Sequence, residues 1–108
     1  MGRTTKYQPT PHMDDETSTR ESLAPLYWVV MHNDPVTTME FVVEILMRMY
    51  DYGQERAVEV MLSIHHNGLE RVALMPLERA EFKVQGTHAA ARARGFPLTC
   101  TIEPEQAP

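Results

Sequence analysis

The stretch from Tyr27 to Phe41 changes its hydrophobic pattern within a few residues, and that change limits what the chain can fold into. Tyr27-Trp28-Val29-Val30-Met31 is an apolar run rich in aromatic and β-branched residues, which predicts a buried strand. Asn33-Asp34-Pro35 ends it, because Asn and Asp favour turns and Pro has no N–H to give to a ladder. Thr37-Thr38-Met39-Glu40 then fits a capping box, with Thr37 three residues ahead of Glu40. Three carriers of side-chain oxygen (Asn33, Asp34, Thr37) thus sit at a turn beside an apolar helix face. Such a corner can hold a small cation next to an apolar group.

Further elements follow from spacing. A first helix is expected from about Thr38 to Tyr50, with Met39, Val42, Val43, Leu46, Met49 and Tyr50 forming its apolar stripe. Glu40, Glu44 and Arg48 fall on the other side, and Glu44–Arg48 is a favourable i,i+4 pair. Asp51-Tyr52-Gly53 breaks the pattern. A second helix is expected from about Gln54 to His66, with Ala57, Val60, Met61 and Ile64 as its stripe and Asn67-Gly68 as its stop. The short connection makes the two helices neighbours in an αα-hairpin. Arg71 to Met75 predicts a short strand ended by Pro76. Leu77 to Arg94 predicts a long helix that buries Leu77, Ala80, Val84 and Ala91, is weakened in the middle by Gly86 and Thr87, and is closed by Gly95. Leu98 to Ile102 alternates as a strand should. The order is β-α-α-β-α-β, a single small α+β domain with a three-stranded antiparallel sheet packed on three helices.

Residues 26–104 carry this pattern. Residues 1–25 hold Thr, Ser, Pro, Asp and Glu with almost nothing apolar, which predicts a disordered N-terminal extension, and 105–108 read as a short C-terminal tail. The 108 residues suit one domain. Fifteen acidic against ten basic side chains argue against nucleic acid as the main partner. The single Cys100 permits no internal disulfide and fits a reducing compartment. With no apolar run of membrane-spanning length and no signal-peptide core, the expected location is cytoplasmic.

Individual residues allow competing readings. The stripe of Met39, Val42, Met61 and Ile64 reads as core, or, with two flexible methionines, as a surface that accepts varied apolar groups. His65 and His66 read as solvated groups near a helix C-terminus, or one of them as a neutral imidazole that accepts a hydrogen bond. Asn33 and Asp34 read as turn formers or as ligands. The five histidines and Cys100 show no metal-ligand spacing, so no metal or cofactor is expected. An Asp34/His65 acid–base pair would need a nucleophile, a phosphate loop or an oxyanion element, and none is evident.

Taken together, Asn33-Asp34-Pro35-Val36-Thr37-Thr38-Met39-Glu40-Phe41-Val42, Glu55-Arg56-Ala57, Met61-Leu62-Ser63-Ile64-His65 and Pro97-Leu98-Thr99-Cys100-Thr101-Ile102-Glu103 resemble the ClpS family. Its members are adaptors of the Clp AAA+ protease that recognise N-end-rule degrons. The resemblance covers about residues 26 to 103. It implies that the chain is not an enzyme and binds the first residue of a substrate (Leu, Phe, Tyr or Trp) through a free α-amino group and a bulky side chain. By the same resemblance Asn33, Asp34 and His65 hold the ammonium. Met39, Val42, Met61, Ile64 and Leu98 line the side-chain cavity, with Met39 at the gate position, and Thr37 and Thr38 lie near the substrate backbone. Glu78 and Lys83 dock on the N-terminal domain of a ClpA- or ClpC-type ATPase, and the N-terminal extension serves substrate handoff. A monomer is expected. The chain departs from the family at Pro35, where a second Asp is common, at Thr38, where Pro is common, and at Ile64, which is bulkier than the usual Val. A ribosomal stalk-like binding module of the same architecture is the alternative, and it would not need the Asn33/Asp34/His65 corner.

Overall fold

The structure, a computed structural model, describes residues 24–106. Most of the expected N-terminal extension and the last two residues of the expected tail lie outside the described residues. The elements run β1 (Leu26–His32), α1 (Met39–Met49), α2 (Gln54–Asn67), β2 (Leu69–Pro76), α3 (Leu77–Ala93) and β3 (Thr99–Pro104). This is the expected order. The strands form one antiparallel sheet in the order β2-β1-β3, so the apolar first strand is the central one. Val29, Val30 and Met31 in this central strand are all buried. Among the described residues no helix is long and apolar enough to cross a membrane.

The β1–β2 register shifts between Val29 and Val30, which leaves Val72 as an extra residue in β2. Val72 is buried, and its carbonyl accepts the Tyr52 hydroxyl at 2.7 Å, so the αα-hairpin turn is fastened to the bulge. On the outer face of the sheet the Arg71 guanidinium lies 5.1 Å from the Trp28 ring centroid and pairs with Glu103 at 3.0 Å. Glu105 N–H still bonds to the Leu26 carbonyl, so contact with the sheet extends into the expected tail.

The buried face of α1 differs from the expected stripe. Phe41, Val42, Ile45 and Leu46 are buried, while Met39 is 43% exposed and Val43, Met49 and Tyr50 are half-buried. The core-facing arc lies one position round the helix, because Phe41 packs on Phe96 at a centroid distance of 5.1 Å, with the Arg94 guanidinium over both rings. The expected stripe of α2 (Ala57, Val60, Met61, Ile64) is buried as read, and Gly68 takes φ +89° at its C-terminus. There a left-handed residue lets the Gly68 N–H reach the Ile64 carbonyl.

In α3 the buried residues are Ala80, Thr87 and Ala91; Leu77 is exposed and Val84 only half-buried. The weak middle expected at Gly86-Thr87 is instead where α3 meets the end of α1. A β-carbon at Gly86 would lie 2.6 Å from the Met49 terminal methyl. Fully buried Thr87 donates to the Lys83 carbonyl at 2.8 Å and sits 2.7 Å from the Tyr50 hydroxyl. Lys83 Nζ donates to the Met49 carbonyl at 2.7 Å, a cation at a helix C-terminus. From the last turn of α3, Arg92 donates to the Phe96 and Leu98 carbonyls and aligns the entry to β3.

Two stability predictions follow from these contacts. Thr87→Val keeps the volume but removes the close partner of the part-buried Tyr50 hydroxyl, leaving it only the Lys83 carbonyl at 3.5 Å, and should cost about 1–3 kcal/mol in urea unfolding with an unchanged m-value. His88 Nε2 accepts the Cys100 N–H at 2.9 Å, which needs a neutral ring. Burial first, and then the Arg92 charge, hold its pKa below the ordinary 6.5. The unfolded chain therefore takes up a proton before the folded one as pH falls. The stabilisation is complete above the unfolded value and declines as pH falls through it toward the folded one. Melting temperature should drop between pH 8 and pH 5.5, and His88→Gln should flatten that slope.

Candidate functional site

The polar turn after β1 is held by its own side chains. Asn33 N–H donates to the Gly68 carbonyl at 2.9 Å, which sets the end of β1 against the C-terminus of α2. Asp34 Oδ1 accepts the N–H groups of Val36 (2.8 Å) and Thr37 (2.7 Å), and Oδ2 accepts the Thr37 hydroxyl at 2.7 Å. The helix cap is Thr38, whose Oγ1 accepts the Phe41 N–H at 3.2 Å. The expected capping box with Thr37 is therefore corrected by one residue: the helix begins at Met39, so Thr38 is its cap, while the Thr37 hydroxyl bonds to Asp34. Desolvation pushes the Asp34 pKa up. The Thr37 amide and hydroxyl, the Val36 amide and the Arg92 charge outweigh it, so the carboxyl lies below its ordinary 3.8 and is ionised at neutral pH.

A cleft of about 660 Å³ opens between this turn, the start of α1 and the end of α2. Asn33, Asp34 and His65 lie at its polar end, and Met39, Val42, Met61 and Ile64 supply its apolar lining. Thr37 and Thr38 border it as well. The backbone bond from Asn33 to Gly68 makes this possible, since His65 stands three residues before Gly68 on the last turn of α2. Leu98 does not line the cleft. It is 1% exposed and belongs to the core. Pro35, Val36 and Glu40 line the cleft without having been expected there. Val36, 56% exposed, was the residue most open to notice, as an apolar side chain inside a polar turn.

The acceptor count at the polar end leaves room for a ligand. An ionised carboxylate offers about four lone-pair positions. Asp34 uses three of them within the turn. Among the described residues neither the Asn33 amide nor the His65 ring makes a side-chain hydrogen bond, and both residues are exposed. The end of the cleft thus presents an amide, a carboxylate and an imidazole to solvent, a set that suits a cationic donor rather than an anion. No group of three metal-ligating side chains occurs among the described residues. Burial pushes the Cys100 thiol up to about 12, so it behaves as a small apolar side chain. The two residues expected to dock a partner lie on α3, where Glu78 is exposed but Lys83 is half-buried against the end of α1.

Comparison with known proteins identifies relatives of this chain. A family model described as "ATP-dependent Clp protease adaptor protein ClpS" matches residues 22–101. The ATP-dependent Clp protease adapter protein ClpS of Lawsonia intracellularis is 47% identical over 78 residues, 72% of each chain. That of Desulfatibacillum aliphaticivorans is 37% identical over 102 residues, covering 90% of this chain and 98% of its own. Among solved structures, ClpS2 of Agrobacterium tumefaciens bound to L-phenylalaninamide superposes with a TM-score of 0.73 at 32% identity, covering 75% of this chain and 98% of the other. With the family match spanning most of the domain and the Desulfatibacillum relative aligned over nearly its full length, the chain belongs to the ClpS family of Clp protease adaptor proteins, which are not enzymes.

Proposed function

We propose that this adaptor captures the first residue of a substrate polypeptide, with its α-ammonium at Asn33, Asp34 and His65 and its side chain between Met39, Val42, Met61 and Ile64. The observation that carries the reading is the union, in one cleft, of an apolar lining with three acceptors of cationic donors. L-phenylalaninamide, bound by the Agrobacterium relative, has the matching chemistry: a free amine beside a bulky apolar side chain. The two threonines complete the fit to a backbone. Thr37 Oγ1 has donated its proton to Asp34 and keeps lone pairs, so it accepts a substrate N–H. Thr38 Oγ1 has accepted a helix N–H and keeps its proton, so it donates to a substrate carbonyl.

Magnitudes explain why both halves are needed. Burying a Leu or Phe side chain contributes about 1.5–3 kcal/mol. A charge-assisted hydrogen bond contributes about 1.5–3 kcal/mol net. Neither alone offsets the loss of translational and rotational freedom, about 4 kcal/mol or more. Together they give affinity and restrict it to chains with a free N-terminus. The captured substrate is then delivered to a Clp AAA+ unfoldase of ClpA or ClpC type. Exposed Glu78 and the adjoining surface of α3 dock on the N-terminal domain of that ATPase. Lys83 takes part with whatever donor capacity its bond to Met49 leaves it.

Fluorescence anisotropy with peptides that differ only at residue one tests the reading. N-acetylation of a Leu-initiated peptide removes the cation, leaves Asp34 without a partner, and should abolish measurable binding. Asp34→Ala should do the same to the free-amine peptide. Tight binding of the acetylated peptide would refute the proposal. Ile64 narrows the cavity by about one methylene relative to Val, so Leu and Phe should bind better than Trp by about 1–3 kcal/mol; equal affinities would show that Ile64 does not limit the cavity.

A further inference from the structure

The turn that carries Asp34 spends more hydrogen bonds on one carboxylate than turn formation needs, and the excess comes from Thr37. Its amide and the Val36 amide both reach Oδ1, which suffices to close the turn. The Thr37 hydroxyl goes to the other oxygen, Oδ2, at 2.7 Å. The two amides on Oδ1 already restrict rotation about the last side-chain bond; the hydroxyl on Oδ2 restrains the carboxylate at both oxygens and narrows its orientation further. Pro35 adds to this. It fixes its own φ near −65° and restricts the backbone of Asp34 before it, so the residue that bears the charge starts from a narrowed set of conformations.

We propose that Thr37 is a positioning residue for substrate recognition: its hydroxyl, with Pro35 in the turn, holds the Asp34 carboxylate in the orientation that leaves an open lone pair at the polar end of the cleft beside His65. The inference rests on the function proposed above. It gives that site a property of its own, the reading of a substrate ammonium with a single preorganised carboxylate. Preorganisation is the efficient solution where only one charge is available, because an already oriented acceptor pays no ordering cost on binding. Other groups set the field at Asp34. The Arg92 charge from α3 lowers its pKa, as do the Thr37 and Val36 hydrogen bonds. His65 from α2 and Glu40 from α1 share the cleft lining. All four side chains other than Thr37 (Asp34, Arg92, His65, Glu40) stay in place when Thr37 alone is changed.

The test is the anisotropy of a free-amine Leu-initiated peptide from pH 7.5 to pH 3.5 with the full chain and with Thr37→Ser, Thr37→Val and Thr37→Ala. Thr37→Val and Thr37→Ala should weaken binding about tenfold or more at pH 7. They should also move the acid midpoint of binding to higher pH, because Asp34 loses a hydrogen bond that favours its ionised form. Thr37→Ser should keep both the affinity, within about threefold, and the midpoint. Loss of a direct contact from Thr37 to substrate would lower affinity without moving the midpoint, and that outcome overturns the positioning role. Carboxyl NMR of each folded variant ties the shift in midpoint to Asp34 itself. Should the apolar variants not fold, carboxyl NMR of the unaltered chain decides: an Asp34 pKa at or above the ordinary 3.8 means that the clamp does not hold. An unaltered chain that fails to bind the free-amine peptide refutes the proposed function itself, whereas normal binding with an indifferent Thr37→Val refutes this inference and the Thr37 contact to the substrate backbone but leaves the amine and side-chain sites standing.

Discussion

A hydrogen bond between two backbones, Asn33 N–H to the Gly68 carbonyl at 2.9 Å, joins parts of the chain that are 35 residues apart and makes one site of them. On one side of it β1 ends in a polar turn. On the other α2 ends in its left-handed glycine. Neither end is unusual alone. Held together, they bring the Asn33 amide and Asp34 carboxylate to the cleft that also receives His65, and the two helices between them supply its apolar lining. The fold therefore serves the site through its corners. The sheet and α3 provide the frame against which those corners are fixed, with Phe41 on Phe96 and Thr87 under Tyr50 as its main fasteners.

The division of labour inside the turn is physical as well as spatial. Each hydroxyl is used once by the protein and keeps the opposite capability for a ligand: Thr37 remains an acceptor and Thr38 a donor. The same economy holds at Asp34, which satisfies three N–H and O–H groups and keeps one position open. A second carboxylate at residue 35 would add charge to the corner but would carry its own desolvation cost and its own freedom of movement. Proline there adds no charge and removes freedom. The chain thereby exchanges electrostatic strength for order at this polar corner.

Much of this could be read in the sequence, and the exceptions share a cause. Strong local signals worked: the apolar run of β1, Asn33-Asp34-Pro35 as its stop, the stripe of α2 with Asn67-Gly68 after it, and the alternation of β3. The readings that shifted depended on contacts distant in the chain. The buried arc of α1 was set by Phe96, 55 residues beyond Phe41, and not by the first helix's own periodicity. Thr87 looked like a helix breaker because its partner, Tyr50, lies on another element. Thr37 satisfied the spacing of a capping box, yet the helix begins one residue later than that spacing assumes, so Thr38 is the cap and Thr37 bonds to Asp34. Leu98 carried the alternation of a strand and was expected in the cavity, but it is 1% exposed and packs in the core, outside the residues that line the cleft. The site residues Asn33, Asp34 and His65 came from the family resemblance; composition alone left them as turn formers and a solvated histidine.

The most direct test of the central claim is a two-dimensional NMR titration of the isotope-labelled chain with L-leucinamide, which carries only a free amine, one apolar side chain and a capped carboxyl. The account predicts concerted shifts at the Asn33 side-chain amide, the Asp34 carboxyl and the His65 ring, with methyl shifts at Met39, Met61 and Ile64, and none from the N-acetylated compound. Shifts confined to α3 or the outer face of the sheet, or the same shifts from the acetylated compound, would contradict it.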